Sequence, residues 1–191
     1  DLLATADHLV PYVDIPLQHI SDRMLRAMGR RCGGSETREL MSRLRERIPG
    51  VTVRTTFLVG YPGETAADFE ELLAFAETYE FERLGVFTFS PEAGTPAAGV
   101  TEGVVRSQLA DERRQRLLVA QQQIAERKNR ELVGQRLSVL VDHDEGGGVV
   151  AGRTTADAPD VDNLVHFSDD TGRAAREGMV TVRIDSAEPY D

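Results

Sequence analysis

Hydrophobic and polar positions alternate most regularly between Val51 and Val59: Val51, Val53, Thr55, Phe57 and Val59 face one way, and Thr52, Arg54, Thr56 and Leu58 the other. A period of two predicts a β-strand. The Gly60-Tyr61-Pro62-Gly63 run cannot extend it, because proline lacks the N–H a ladder needs and the glycines admit backbone angles closed to other residues. Thr65 and Asp68, three residues apart, predict a boxed helix start. Phe69, Leu72, Leu73 and Ala76 then recur on one helical face as far as about Glu80. A strand feeding a tight turn and a helix N-terminus leaves backbone N–H groups free at the carboxyl end of a sheet, where α/β proteins hold ligands. This turn is therefore a candidate floor for a site.

The same periodicities divide the rest of the chain. Tyr12 to Leu17 predicts a short strand, and Ser21 opens a helix with Met24, Leu25 and Met28 on its apolar face. Ser35 opens a longer helix through Leu40, Met41, Leu44 and Ile48, ended by Pro49-Gly50. Leu84 to Phe89 predicts a third strand before the loop SPEAGTPAAG. Strands alternating with helices predict a parallel sheet with helices outside, and three strands make an incomplete one, part of a larger α/β domain. From Val104 to Val133 the chain predicts a polar helix with a thin stripe of Leu109, Leu117, Ala120 and Ile124. Beyond Gly134 the period returns to two, and short strands at 137–141, 149–151, 161–167 and 179–184 predict a small β-barrel. The expected divisions are an α/β part at 1–103, a connecting helix at 104–134 and a β-barrel at 135–191.

Composition narrows the classes. With 40% hydrophobic and 28% charged residues the chain is globular, and no apolar run approaches the ~20 residues that span a bilayer. The first residues lack a signal-peptide pattern and Cys32 is the single cysteine, so a reducing, cytoplasmic setting without a membrane is expected. The net charge of −10 is uneven. Residues 135–191 hold five arginines against twelve acidic residues, a balance of −7, which leaves −3 for the rest. Such a segment repels the phosphates of nucleic acid and suits a basic protein, so a protein partner and no nucleic acid is expected.

Few residues suggest chemistry by themselves. His19 follows Gln18 at a strand end, where an imidazole could meet a ligand. Arg54 and Thr56 share one strand face, and a guanidinium there needs an anion, either a ligand carboxylate or a protein acid such as Asp14 or Glu64. The four histidines have no metal-ligand spacing, and no CxxC, P-loop, GxSxG or GxGxxG occurs.

Three segments in order, YVDIPLQHISDRMLRAMGRR, RTTFLVGYPGET and FTFSPEAGTPAA, resemble the second half of the radical S-adenosylmethionine (SAM) barrel of the methylthiotransferases, and the β-rich tail is similar to a TRAM domain. The resemblance implies the carboxyl-terminal half of a TIM-like α/β barrel followed by a small, OB-like all-β barrel. It implies SAM as a cofactor and two 4Fe–4S clusters, one held by a CxxxCxxC loop that cleaves SAM reductively and one that delivers the methylthio group. Cys32 matches neither cluster motif, so the cluster-binding regions are expected upstream of Asp1 or absent; the chain alone would be inactive, and the competing expectation is a non-catalytic fragment that only binds the substrate protein. The resemblance implies that Gln18, His19, Arg54, Thr56, Gly60, Pro62, Gly63, Glu64 and Phe89 would line the SAM or substrate side. DIPLQH at 14–19, ADAPDVDN at 156–163 and the acidic tail favour the branch that modifies an aspartate of small-subunit ribosomal protein S twelve over the branch that modifies a tRNA adenosine.

Overall fold

A computed structural model describes residues 2–6, 8–169 and 178–188. Its elements are α1 (Leu2–Thr5), β1 (Tyr12–Gln18), α2 (Asp22–Ala27), α3 (Gly34–Arg47), β2 (Thr52–Val59), α4 (Ala66–Tyr79), β3 (Arg83–Thr88), α5 (Ser107–Arg130), β4 (Arg136–Gly146), β5 (Val149–Arg153), β6 (Val165–Ser168) and β7 (Met179–Arg183). A short 3-10 helix at Pro96–Gly99 interrupts the loop after β3. The chain forms two compact units, 13–124 and 1–12 with 125–191, and the division falls inside α5.

In the first unit the sheet has the order β1-β2-β3. β2 and β3 are parallel, with Arg54 beside Arg83, Thr56 beside Gly85 and Leu58 beside Phe87. From Val53 onward β2 alternates as expected: Val53, Thr55, Phe57 and Val59 are buried, while Arg54, Thr56 and Leu58 keep partial exposure; Thr52, at the start of the strand, is buried as well. The buried face packs into an aromatic cluster in which Phe57, Phe75 and Phe81 lie with ring centroids 5.5–6.2 Å apart. α4 starts as the Thr65/Asp68 spacing predicts. The Thr65 hydroxyl accepts from the Asp68 N–H at 3.2 Å, and the Asp68 carboxylate accepts from the Thr65 N–H at 2.8 Å.

Two expected caps are built differently. α3 is capped two residues early, by Gly33 in place of Ser35, and begins at Gly34, with the Glu36 carboxylate accepting from the Gly33 N–H at 2.9 Å. Ser21 precedes α2 without a side-chain cap, because its hydroxyl donates to Asp68 at 2.6 Å and ties α2 to the start of α4.

In the second unit the antiparallel order is β6-β5-β4-β7. β4 bends through two irregularities against β5, between Val141 and His143 and between Asp144 and Gly146. Gly152 sits where β5 crosses closest to β4: a Cβ there would lie 2.4 Å from the Leu140 carbonyl oxygen. Of the charged tail residues, Asp170, Arg173, Arg176, Glu177 and Asp191 lie outside the described residues.

Candidate functional site

The turn after β2 is stitched to the protein and offers few free donors. The Gly60 N–H donates to a Glu64 carboxylate oxygen, the Glu64 N–H to the Tyr61 carbonyl at 3.0 Å, and the Gly63 N–H to the Gly103 carbonyl at 2.7 Å. The N–H groups of Gly60 and Gly63, expected to be free, are therefore satisfied internally, by a side chain four residues ahead and by a loop forty residues away. Gly60 adopts φ +77, and a Cβ on it would meet the Ala110 methyl of α5 at 2.5 Å, so the corner is also the seat of that helix.

Below the corner is a polar cluster closed to solvent. His19 and Glu64 side chains are both fully buried, with Nε2 3.8 Å from Oε1, and neither of these atoms has a hydrogen-bond partner. The second Glu64 oxygen lies 3.4 Å from the Arg113 guanidinium, which also donates to the Glu64 carbonyl at 3.3 Å and lies over the Phe69 ring. His19 Nδ1 accepts from the N–H groups of Ile20 (2.9 Å) and Ser21 (3.1 Å), so a neutral ring carries its proton on Nε2.

A second constellation lies next to it around Asp68. Burial pushes this carboxyl upward, but hydrogen bonds from the Ser21 hydroxyl, from the Thr65 hydroxyl and N–H, and from Arg23 outweigh it and hold Asp68 far below the usual carboxylate range. Arg23 also donates to the Gly63 carbonyl at 2.7 Å, so the ion pair fixes the outer lip of the turn.

The other face of the sheet is open. Arg54 lies 3.6 Å from Asp14 across β1 and β2, which answers the need for an anion that its strand position creates. Thr56 and Leu58 follow on β2, and beside them Phe87 is 60% exposed. A Cβ on Gly85 would meet the Phe87 ring at 3.4 Å and the Thr56 hydroxyl at 3.6 Å, so the ring leans back over the glycine toward the threonine. Gln18 ends β1, half-buried and with φ +70. Arg54 and Thr56 thus share one open surface, and Gln18 stands at the end of the strand beside it. His19, Gly60 and Glu64 belong to the closed cluster, while Pro62 and Gly63 form the half-buried outer part of the turn. Phe89 lies just past β3, its N–H donating to the Val59 carbonyl at 2.8 Å and its ring 5.0 Å from that of Tyr61. Sequence reasoning missed Phe87 and Arg113. The signal for Phe87 was an aromatic two residues after Gly85 on a strand; Arg113 sat in the polar helix expected at 104–133, outside its apolar stripe.

A groove of about 550 Å³ runs elsewhere, along β1 and the α2–α3 connection, and is lined by Cys32 but by none of the expected site residues. Cys32 is exposed, and among the described residues no group of three His, Cys, Asp or Glu side chains is arranged to hold a metal ion. The described residues do not fit an iron–sulfur cluster, which needs several thiolates. The open sheet face does fit a polar small molecule, with a guanidinium, a hydroxyl and an uncovered ring together.

The profile of the radical SAM superfamily matches residues 1–76 and that of the TRAM domain residues 133–191. A protein of Anaeromyxobacter sp. (strain Fw109-5) named ribosomal protein uS12 methylthiotransferase RimO is 45% identical over all of this chain and 40% of its own length. Proteins of the same name from Syntrophotalea carbinolica and Trichormus variabilis are 44% and 42% identical, over 100% and 96% of this chain and 42% and 41% of their own lengths. The chain belongs to the radical SAM methylthiotransferase family. It spans about two fifths of the length of these relatives. Its fold is similar to that of coproporphyrinogen III oxidase (HemN) from Escherichia coli, a radical SAM enzyme, with a TM-score of 0.52 at 14% identity over 78% of this chain and 42% of that one. The α/β unit is accordingly part of a radical SAM barrel and the antiparallel sheet a TRAM barrel. Among the described residues no helix is long and apolar enough to cross a membrane.

Proposed function

We propose that this chain is part of a methylthiotransferase that adds a methylthio group to an aspartate of small-subunit ribosomal protein S twelve. The likeness of the whole chain to proteins named for that reaction carries the proposal. In this assignment residues 1–103 supply barrel, 104–134 connect, and 135–191 dock the substrate. SAM, when bound, supplies the oxidising power for attack on an unactivated C–H bond. Arg54, Thr56 and Gln18 would hold its polar groups and Phe87 would cover a planar one, while the turn at Gly60, Pro62, Gly63 and Glu64, with His19 beneath and Phe89 beside it, keeps the floor rigid. The acidic β unit, at −7 over residues 135–191, suits a basic ribosomal protein and repels the phosphates of tRNA. The iron–sulfur clusters of such an enzyme require thiolates that this chain does not place together. The chain alone is therefore expected to be inactive.

The test uses the full-length protein, reconstituted anaerobically and offered ribosomal protein S twelve and a tRNA anticodon arm together. A mass increase of one methylthio group on an aspartate of the protein is expected. The same increase on an adenosine would overturn the substrate assignment. In parallel, titration of this chain with the two partners at two salt concentrations is expected to show selective, salt-weakened binding of the protein; preference for the RNA would remove the charge argument. SAM cleavage by this chain after treatment with iron and sulfide would refute its inactivity.

A further inference from the structure

Gln18 is one of three non-glycine residues with positive φ among the described residues, and the one at the end of a sheet strand. Around it the His19 N–H donates to the Leu17 carbonyl at 2.9 Å, an i to i+2 hydrogen bond. A γ-turn with positive φ at its centre is rare and strained, and a glutamine persists there only if its surroundings impose it. The surroundings are the next residue. The buried His19 ring accepts the Ile20 and Ser21 N–H groups through Nδ1, which pins the backbone directly after Gln18. Its Nε2 faces Glu64 at 3.8 Å, and Glu64 is itself held by the Gly60 N–H and Arg113. Gln18 follows Asp14 and Pro16 in the alternation of β1, and Asp14 pairs with Arg54 on the open face.

We infer that His19 is a positioning residue: it holds Gln18 in the strained turn so that the Gln18 carboxamide stands at the end of the open sheet face, where it gives one donor group and one acceptor to the polar edge of a bound ligand. This rests on the proposal that the open face holds SAM. A buried imidazole with no access to solvent cannot itself touch that ligand, so its effect passes through Gln18.

The first measurement needs no ligand. In the isotope-labelled chain, the φ of Gln18 is read from its amide to α-proton coupling and its Cα shift, in wild type, His19→Ala and His19→Asn. His19→Ala is expected to move Gln18 into the extended range. His19→Asn, whose Oδ1 can take the two N–H groups that Nδ1 holds, is expected to keep positive φ. A folded His19→Ala chain with Gln18 unmoved overturns the inference. If His19→Ala does not fold, His19→Asn and His19→Gln carry the test, because Gln cannot place its acceptor at Nδ1; identical Gln18 signals in the two variants overturn it. SAM is then titrated into wild type and Gln18→Ala, with a roughly tenfold weaker affinity expected for the variant. SAM that perturbs Thr56, Leu58 and Phe87 but binds Gln18→Ala equally well sinks the role of Gln18 and leaves the open-face proposal standing. SAM that perturbs none of these residues sinks the open-face proposal, and the presentation of Gln18 to it falls as well.

Discussion

In the α/β unit Phe57, Phe69, Phe75 and Phe81 are at most 2% exposed, together with Ile20, Met24, Met41, Leu72 and Leu117. In the β unit the buried hydrophobic residues among those described are Ala125, Val139, Val150 and Ala151. A buried large side chain contributes about 1.5–3 kcal/mol, so the first unit is stabilised chiefly by apolar packing, while the second depends on its strand ladder and on backbones that approach closely. The contrast explains why the site elements and the acidic surface sit where they do. A strained turn and an unpartnered buried pair need a stiff core around them. A thin barrel can carry many acidic residues because few of its positions must be apolar.

The contrast is most sharply tested at Phe57. Phe57→Ala should cost about 3–5 kcal/mol by opening a cavity inside the ring cluster. Denaturant unfolding of the chain would show it as a lower midpoint for the α/β transition, and an unchanged midpoint would remove the packing argument.

Asp68→Asn should cost roughly 3 kcal/mol, because a charged acceptor for Ser21, Thr65 and Arg23 becomes a neutral one. The pH dependence has a definite sign. The folded carboxyl titrates below its unfolded value, so its stabilisation is complete above the unfolded pKa of about 4 and is lost as pH falls below it. Melting curves of wild type and variant should converge toward low pH. A gap that stays constant from pH 7 to pH 3 would contradict the assignment.

Gly152→Ala should cost about 1–3 kcal/mol in the β unit, since the new methyl meets the Leu140 carbonyl. Hydrogen exchange should report faster opening of β4 and β5 with β2 unaffected. Loss of protection in β2 to the same degree would mean that the two units unfold as one.

The smallest effect is expected at Arg116, whose guanidinium lies over the Phe69 ring and makes a bidentate pair with Glu70, both side chains being about half exposed. Arg116→Ala should leave the melting temperature within replicate scatter, as exposed ion pairs do. A loss approaching that of Phe57→Ala would show that surface charge, and not the ring cluster, holds the α/β unit.

Much of this architecture was legible in the chain because it is local. The β2 alternation, the Thr65/Asp68 box and the change of period after Gly134 each lie within a few residues, where strand and helix geometry leave a repeating mark. Strand ends were less legible: the strand expected at 161–167 begins at Val165, because the Asp157 carboxylate accepts from Thr154 and that of Asp162 from the Ala158 N–H, folding the preceding acidic run into turns. The candidate site divided along the same line. Arg54 and Thr56 could be paired on one face by counting, whereas nothing between positions 19 and 64 marks their meeting.

By itself, then, the sequence determined the order of elements, the corner at Gly60 to Gly63, the family motifs and the acidity of the tail. Tertiary structure decided which of the expected residues face outward and which are sealed: Glu64 turns back onto Gly60, His19 approaches it from just beyond the end of β1, and Gly103 takes the Gly63 N–H that the turn would have offered a ligand. The physical reason is that periodicity records which side of its own element a residue occupies, while a hydrogen bond between distant segments is fixed only when packing brings them together.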